Sequence, residues 1–262
     1  MPYQNIAITG ASSGLGRALA LNYAKPGVTL HLTGRDATRL AEVAKTARAL
    51  GAGVTETVLE VTDAAATQAW VQGCAPLDLI IANAGISGGP GRDNLESAAQ
   101  INAIFNTNVT GAFNSVLPAM ALMANQPVAA NGWRGRAVIV GSIAGLIALP
   151  TSPAYSASKA ALDFWVTATA PNAAKDGVGL SLVRPGFIRT PMTAHNPYKM
   201  PGLMDADNAA RIILAGLEAG KTHITFPWWF GLVARFGQML PKAVFAKVPR
   251  KGTDHSLGSN EP

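Results

Sequence analysis

The chain has 262 residues with a formal net charge of +6, and 48% of them are hydrophobic while 14% are charged. This length suits one α/β domain with a large core, and the apolar composition excludes general disorder. The basic residues form no run, so we expect no nucleic-acid partner; the single cysteine excludes an intrachain disulfide, and the four dispersed histidines predict no metal site.

Short β-rich runs alternate with longer helical patterns, an order typical of a parallel sheet with helices on both faces. The predicted strands are Ile6–Thr9, Val28–Thr33, Val54–Val61, Leu77–Ala82, Ala137–Gly141, Val178–Val183 and Ile224–Phe226. The predicted helices are Gly14–Ala24, Ala37–Leu50, Leu95–Met123 and a segment that starts near Pro153. Pro171 should end or kink this last helix, because its ring removes a donor and clashes with the preceding turn. The sequence therefore predicts a single α/β domain over residues 1–226 with about seven strands.

Two stretches depart from this alternation. Arg184–Asp205 has little periodicity, and a long loop inside a domain is often a lid or a binding loop. Trp228–Val248 is rich in large apolar side chains but interrupted by charges, so it fits a surface segment better than a membrane span. We therefore expect residues 227–250 to be an apolar extension that packs on the domain, on an oligomer partner or on a membrane surface, and residues 251–262 to be a flexible tail.

The N-terminal residues lead straight into an apolar strand and lack the basic and apolar regions of a secretory signal. The expected location is therefore cytoplasmic. Peripheral membrane contact through residues 228–248 stays open as an alternative, because Trp228, Trp229 and Phe230 stand near Arg235.

A glycine-rich turn, TGASSGLG over residues 9–16, joins the first predicted strand to the first predicted helix. Gly10, Gly14 and Gly16 lack side chains, which allows a tight turn and a close approach of a pyrophosphate. The helix N-terminus adds free N–H groups and a favourable dipole. This context predicts a dinucleotide site in which Ser12 and Ser13 assist the phosphates.

Gly34 and Arg35 follow the second predicted strand, where a dinucleotide-binding fold distinguishes the two forms of the adenosine ribose. An acidic residue there binds the 2′-hydroxyl of NAD, whereas an arginine accommodates the 2′-phosphate of NADP. No carboxylate precedes Arg35 at this position, so NADP(H) is the favoured cofactor. NAD(H) stays open as the alternative, since an arginine at a helix start is also compatible with simple solvation.

Tyr155 and Lys159 are one helical turn apart in the sequence AYSASK. The i,i+4 spacing places both side chains on one face of a helix. A neighbouring ammonium favours the phenolate, so we expect Lys159 to lower the pKa of Tyr155 from its usual value of about 10. A phenol tuned in this way can protonate a carbonyl oxygen or deprotonate an alcohol, which predicts general acid/base chemistry.

Together these motifs closely resemble the classical short-chain dehydrogenase/reductase family over residues 5 to about 226. The resemblance implies a Rossmann fold with a doubly wound parallel sheet, binding of NAD(P), and interconversion of a small-molecule carbonyl and an alcohol. The residues that match the family's catalytic tetrad are Asn108, Ser142, Tyr155 and Lys159. The residues that match its cofactor contacts are Gly10, Ser12, Ser13, Gly14, Leu15, Gly16, Arg35, Glu60, Val61, Asn83, Ala84, Gly85, Tyr155, Lys159, Pro185, Gly186, Ile188 and Thr190.

By this resemblance, Tyr155 is the general acid/base, and Ser142 stabilises the charge that develops on the substrate oxygen. Lys159 lowers the pKa of Tyr155 and binds the nicotinamide ribose, while Asn108 holds a water that links Lys159 to solvent. Hydride moves between the nicotinamide and the substrate carbon. The family also implies a homodimer or homotetramer that pairs through the helices around Asn108 and Tyr155.

The sequence departs from the family pattern at two places. Glu60 and Val61 stand where the family has Asp-Val beside the adenine, so the backbone of Val61 is the more secure contact. Thr169–Ala173 replaces the charged helical pattern of relatives, which bears on helix length and oligomer packing rather than on the chemistry.

The predicted substrate pocket is mainly apolar, with Ser142, Ile143, Leu149 and Met192 as its candidate lining. An apolar carbonyl or secondary alcohol is therefore preferred over a sugar. Two other functions stay open: a dinucleotide-sensing or scaffold protein without catalysis, and a membrane-surface reductase of lipidic carbonyls. The presence of both Tyr155 and Lys159 argues against the first.

Overall fold

The main β-sheet has seven parallel strands in a computed structural model that describes residues 3–90, 95–194 and 199–229. In chain order these strands are β1 (Asn5–Thr9), β2 (Thr29–Gly34), β3 (Gly53–Val58), β4 (Leu79–Ala82), β5 (Gly135–Val140), β6 (Val178–Pro185) and β9 (His223–Phe226). Their order across the sheet is β3-β2-β1-β4-β5-β6-β9. Two short strands, β7 (Ile188–Arg189) and β8 (Met204–Asp205), pair with each other outside this sheet.

The central strands are almost wholly buried, which explains their nearly continuous apolar sequences. Every residue of β4 and β5 is buried. A parallel strand that is covered on both faces needs apolar side chains on both, so it lacks the alternation of a half-exposed strand. The edge strand β3 is mostly exposed and correspondingly polar.

Helices cover both faces of the sheet. In chain order they are α1 (Gly14–Tyr23), α2 (Ala37–Ala49), α3 (Ala64–Gln72), α4 (Ala98–Phe105), α5 (Gly111–Ala124), α6 (Pro153–Lys175), α7 (Pro191–Ala194) and α8 (Ala206–Glu218). One hydrophobic cluster includes Leu19 of α1 and Ile213 of α8, and a second includes Leu162 of α6. β1 contributes Ile8 to the first cluster and Ala7 to the second, because successive strand residues face opposite sides. The predicted parallel sheet with helices on both faces is confirmed.

Two element boundaries lie three residues from the predicted positions, while the other predicted bounds differ by at most two. The third strand ends at Val58 rather than Val61, where its partner strand β2 also ends. The helix expected from Leu95 begins at Ala98 and contains a π-helical turn, Asn106–Thr110, which joins α4 to α5. A π-helical turn contains one residue more than an α-helical turn, and the periodicity of apolar residues does not reveal this insertion.

Of the two predicted effects of Pro171, a helix end or a kink, the first was wrong, because helix α6 continues past Pro171 to Lys175. Pro171 and Thr167, four residues earlier, are both exposed, and water can therefore satisfy the Thr167 carbonyl that loses its helical donor. Helices α3 and α8 occupy stretches without a predicted element. A signal existed for α3, because the Asp63 side chain accepts a hydrogen bond from the N–H of Ala66 as an N-cap.

The C-terminal predictions fall largely beyond the described part of the chain. The expected extension at residues 227–250 is described only up to Trp229, and the expected tail at residues 251–262 lies outside the described residues. Within the described ranges, no helix has both the length and the apolarity needed to cross a bilayer.

Candidate active site

The segments that carry the predicted site follow neighbouring strands at one edge of the sheet. Because the strands are parallel, their carboxyl ends meet at that edge. The chain switches direction across the sheet between β2 and β4, the two neighbours of β1, and such a switch point opens a crevice for a ligand. The residues brought to this edge are Gly10 after β1, Arg35 after β2, Glu60 after β3, Asn83 after β4, Ser142 after β5 and Gly186 after β6.

The backbone of the turn between β1 and α1 follows a path that leaves no room for side chains at its glycines. Gly10 and Gly14 have φ angles of 65° and 53°, in the left-handed region that favours glycine. A Cβ on Gly16 would lie 2.2 Å from the carbonyl oxygen of Gly10. The turn therefore requires all three glycines, and it ends at the N-terminus of α1, where the first N–H groups have no intrahelical partner.

The segment after β4 holds this turn in place. The Thr9 hydroxyl accepts hydrogen bonds from the backbone N–H groups of Asn83 (3.0 Å) and Ala84 (3.1 Å). The Asn83 side chain donates to the carbonyl oxygens of Thr9 (3.0 Å) and Gly10 (3.1 Å). Asn83 and Ala84, predicted as cofactor contacts, thus support the glycine turn, and Thr9 is a supporting residue whose role the sequence did not reveal.

The same turn offers polar groups to a phosphate. Ser13 is the N-cap of α1, yet its side chain makes no capping hydrogen bond. The Ser12 hydroxyl lies against Gly34, 3.1 Å from the place of a Cβ there. Leu15 is buried in the core, so its predicted contact is through the backbone. The turn thus combines a backbone cradle that any Cβ would fill, a helix N-terminus and the hydroxyls of Ser12 and Ser13. These features fit the pyrophosphate of a dinucleotide.

Arg35 and Glu60 lie next to each other beyond β2 and β3. A guanidinium nitrogen of Arg35 is 3.5 Å from the Glu60 carboxylate, and the two side chains are 65% and 41% exposed. An exposed pair of this kind contributes at most about 1 kcal/mol, so Arg35 can exchange Glu60 for a phosphate at little cost. The carbonyl of Val61 accepts from the Asn114 side chain at 2.9 Å, which leaves its N–H as the backbone group for an adenine.

The loop after β6 closes the site against the glycine turn. The N–H of Gly186 donates to the carbonyl of Phe226 at 2.7 Å, which fixes the residue that follows Pro185. Ile188 is buried in β7, and the Thr190 side chain lies 3.0 Å from the place of a Cβ on Gly14. The loop predicted to bind the nicotinamide therefore contacts the glycine turn predicted to bind the pyrophosphate.

Tyr155 lies in the first turn of α6, and Lys159 follows one turn later on the same face. The Lys159 ammonium donates to the carbonyl of Val140, at the end of β5, at 2.8 Å. It lies 5.7 Å from the centre of the Tyr155 ring. Gly85 borders the same ammonium, because a Cβ there would be 3.7 Å from the nitrogen. The structure thus brings the tyrosine, the lysine and the segment after β4 together.

Asn108 lies in the π-helical turn and is almost completely buried. Its side-chain oxygen accepts from the N–H of Ile86 at 2.8 Å, and its nitrogen donates to the Ile86 carbonyl and to the Ser158 hydroxyl, both at 3.0 Å. Ser158 in turn donates to the Tyr155 carbonyl at 2.7 Å. Both amide hydrogens of Asn108 are therefore engaged, and its side chain braces the loop after β4 against α6. Ser158 is a further residue of this bracing that the sequence did not reveal.

The environment of Tyr155 differs from the one that the spacing predicts. Burial raises the pKa of Tyr155, and the neighbouring Ser142 hydroxyl opposes this rise by stabilising the phenolate. Burial also lowers the pKa of Lys159 to about 8. The predicted lowering of the Tyr155 pKa by Lys159 is not what these residues produce, because the dry surroundings disfavour both charged forms and the ammonium is bonded to Val140.

Lys159 gives the stability of the protein a pH dependence that can be measured. Its pKa of about 8 in the folded chain is below the ordinary 10.5, so between these values the unfolded chain binds more protons than the folded one. The contribution of Lys159 to the free energy of unfolding therefore rises with pH in this window. Urea titrations should show wild type gaining stability relative to Lys159→Met across it, by roughly 1 kcal/mol per pH unit. A constant difference between the two proteins would contradict the lowered pKa.

An apolar groove of about 340 Å³ lies between the segment after β5 and α6. Leu149 lines it, as predicted for the substrate pocket, but Ile143 and Met192 do not. Ile143 is buried, with its side chain against Gly186, and Met192 is exposed on α7. The groove lining contains none of the catalytic side chains and consists of Gly145, Leu146, Ile147, Ala148, Leu149, Pro150, Pro153, Ser156, Ala157 and Ala160.

A model of the short chain dehydrogenase family matches residues 4–200 of the chain. An uncharacterized oxidoreductase of Myxococcus xanthus is 35% identical over 255 residues, which cover 96% of this chain and 98% of that protein. The ketoacyl reductase HetN of Nostoc sp. is 30% identical over 230 residues, covering 85% of this chain and 77% of its own length.

Two solved structures have the same fold. A short-chain dehydrogenase from Sphingobium yanoikuyae in complex with NADPH gives a TM-score of 0.78 at 23% identity, covering 95% of this chain and 97% of that one. A short chain dehydrogenase/reductase from Burkholderia phymatum in complex with NAD gives 0.76 at 24% identity, covering 97% and 98%. The chain therefore belongs to the short chain dehydrogenase family and is an NAD(P)-dependent oxidoreductase that acts on CH–OH or carbonyl groups.

Proposed function

We propose that the chain transfers hydride between NADP(H) and a mainly apolar carbonyl or secondary alcohol, with Tyr155 as the general acid/base. The observation that carries this proposal is the position of Tyr155 and Lys159 on one face of α6, with Lys159 bonded to the end of β5 at 2.8 Å. Both residues thus stand at the strand edge that also carries the glycine turn.

The protein's own residues supply the proton chemistry. A bound nicotinamide supplies or accepts the hydride. Tyr155 donates its phenolic proton to the substrate oxygen during reduction and recovers it during oxidation. The Ser142 hydroxyl accepts from the N–H of Ala144 at 3.0 Å and neighbours the Tyr155 hydroxyl, and we assign its hydrogen to the substrate oxygen when substrate is bound.

The electrostatics keep Tyr155 in the protonated form that reduction of a carbonyl requires. Burial raises the pKa of Tyr155, so at neutral pH the phenol holds the proton that a carbonyl oxygen needs. With a pKa of about 8, Lys159 is mostly charged at neutral pH. The same ammonium is the group that we assign to the hydroxyls of the nicotinamide ribose.

The choice of NADP(H) rests on Arg35. Replacing Arg35 with alanine should raise KM for NADPH by about 10–100-fold, since charge-assisted hydrogen bonds contribute about 1.5–3 kcal/mol. KM for NADH should stay within about twofold, because the 2′-hydroxyl carries no charge for Arg35 to pair. Glu60→Gln is the matched control: it removes the partner of Arg35 and should leave KM for NADPH unchanged or lower. Equal changes for both cofactors in Arg35→Ala would contradict the assignment.

The apolar substrate class is supported by the groove beside Leu149 and by the ketoacyl reductase among the relatives. A steady-state assay with NADPH and with NADH should include β-ketoacyl thioesters, steroid ketones, long-chain ketones, aldehydes and a keto sugar. Turnover of one or more apolar carbonyls, and faster turnover than for the keto sugar, is the expected result. Cofactor binding without turnover of any of them would overturn the proposed function and favour a dinucleotide sensor.

A second candidate, a membrane-surface reductase of lipidic carbonyls, is favoured by the exposed indoles after β9. Trp228 is 72% exposed and Trp229 is 39% exposed. Aromatic side chains of this kind suit the boundary between headgroups and acyl chains. Flotation with vesicles of anionic phospholipid tests this candidate. Wild-type protein should float with the vesicles, and the bound fraction should fall in the double variant Trp228→Ser with Trp229→Ser. Wild-type protein that does not float would exclude this candidate.

We also propose a homodimer or homotetramer. Apolar side chains on α4, α5 and α6 are exposed at Ile101 (38%), Leu117 (50%) and Phe164 (80%). Helix faces with such side chains are typical of interfaces between subunits. Light scattering at micromolar concentration should give the mass of two or four chains, and a monomer mass would contradict the proposal.

A further inference from the structure

Glu96 contacts the helix that carries Tyr155, although the two lie far apart in the sequence. One oxygen of its carboxylate accepts a hydrogen bond from the backbone N–H of Ala154 at 2.8 Å, across 58 residues of chain. Ala154 is the residue directly before Tyr155. Glu96 therefore holds the backbone of the first turn of α6 directly before the residue that carries the phenol.

The first turn of α6 has a backbone N–H group that its own N-cap residue does not satisfy. Ser152 is the N-cap residue, but its side chain makes no capping hydrogen bond and donates instead to the Thr151 carbonyl at 2.8 Å. Pro153 has no N–H to cap. The N–H of Ala154 is thus an orphan donor of the first turn, and the carboxylate of Glu96 satisfies it. A negative charge at this end also interacts favourably with the helix dipole.

The contact differs from the other carboxylate caps of the described chain. Asp36 and Asp63 cap α2 and α3 from within the same helix start, three residues before the N–H that each one accepts. Glu96 reaches α6 from another part of the chain, directly before Ser97, the N-cap of α4. Its contact therefore ties the starts of α4 and α6 together.

The Glu96 carboxylate is partly removed from water, so solvation does not explain its position. The second carboxylate oxygen is buried and has no hydrogen-bond partner among the residues that the structure describes. Burial raises the pKa of Glu96, and the N–H of Ala154 opposes this rise. An unpartnered buried oxygen costs free energy, so an apolar side chain would be preferred here for packing alone.

We propose that Glu96 is a positioning residue, which sets the place of the Tyr155 hydroxyl relative to Ser142 through its hydrogen bond to the N–H of Ala154. This inference rests on the proposed function, in which Tyr155 transfers the proton. Glu96 acts on the backbone of α6 and not on the substrate. A shift of the first turn misaligns the phenol, and misplacement of a reacting group by about 1 Å can cost on the order of 100-fold in rate.

The test compares three variants with wild type in the steady-state assay. Glu96→Ala should lower kcat by roughly 10–100-fold with KM for NADPH within about twofold of wild type, because the cofactor turn is not touched. Glu96→Gln keeps an acceptor for the N–H of Ala154 and should restore most of kcat. Asp63→Ala, which removes a cap on α3, is the matched control: it should lower the stability to a comparable extent and leave kcat unchanged.

Hydrogen exchange gives a readout that does not depend on turnover. The peptide that spans Tyr155 should exchange faster in Glu96→Ala than in wild type, Glu96→Gln or Asp63→Ala. Unchanged exchange, or an active wild type with an unaltered kcat in Glu96→Ala, would overturn the inference. An inactive wild type with faster exchange in Glu96→Ala would overturn the proposed function and support the contact as the determinant of the first turn.

Discussion

Replacing Tyr155 with phenylalanine is expected to lower kcat by about 10²–10⁴-fold, the range that general acid/base groups contribute. Phenylalanine keeps the ring, and with it the packing against Lys159, whose nitrogen lies 5.7 Å from the ring centre. Only the hydroxyl that donates the proton is lost. The affinity for NADPH, measured by fluorescence titration, should therefore stay within about twofold of wild type, since no cofactor phosphate depends on the phenol.

The matched control for this variant is Tyr23→Phe. Tyr23 is a buried tyrosine at the end of α1, in the cluster on one face of the sheet. Removing its hydroxyl tests the loss of a buried phenolic group outside the site, and kcat should not change. A Tyr155→Phe enzyme that retains more than about one tenth of the wild-type kcat would show that another group donates the proton.

Replacing Asp163 with alanine is expected to lower the free energy of unfolding by about 3–5 kcal/mol, the usual cost of breaking a buried ion pair. Asp163 of α6 pairs with Arg184 of β6 through both carboxylate oxygens, and the two side chains are only 11% and 12% exposed. Removing the carboxylate leaves the guanidinium of Arg184 buried without its counter-charge. Arg184 directly precedes Pro185 and Gly186, so the same change loosens the loop predicted to bind the nicotinamide.

Urea unfolding measures this effect against a surface pair of similar chemistry. Arg189 and Asp205 are 3.0 Å apart but 69% and 65% exposed, and Arg189→Ala should cost less than about 1 kcal/mol. The double variant Asp163→Leu with Arg184→Met should recover much of the loss, because replacing both buried charges with apolar side chains removes the unpaired ion. A loss of under about 1 kcal/mol in Asp163→Ala would contradict the inference that burial makes this pair critical.

Local patterns in the sequence determined a large part of the fold and predicted the residues that the fold brings to the candidate site. The alternation of strands and helices depends on residues close together in the chain, and the predicted strands agree with the structure except at their ends. The glycine turn was equally visible, because the need for Gly10, Gly14 and Gly16 arises within one β1–α1 junction. The pairing of Tyr155 and Lys159 followed from helical spacing alone.

Other features depend on contacts that no local pattern records. The Asn108 side chain is engaged by Ile86, from the segment after β4. Glu96 reaches α6 across 58 residues, and Asp163 meets Arg184 from a different element. Each contact exists because parallel strands bring distant segments to one edge.

The sequence by itself determined that Tyr155 and Lys159 are neighbours, since spacing places them on the same helix face. Only the tertiary structure decided their charge behaviour: burial raises the pKa of Tyr155 and lowers that of Lys159 to about 8. The physical reason is that spacing reports which groups are neighbours, whereas desolvation depends on how completely the whole fold removes water from them.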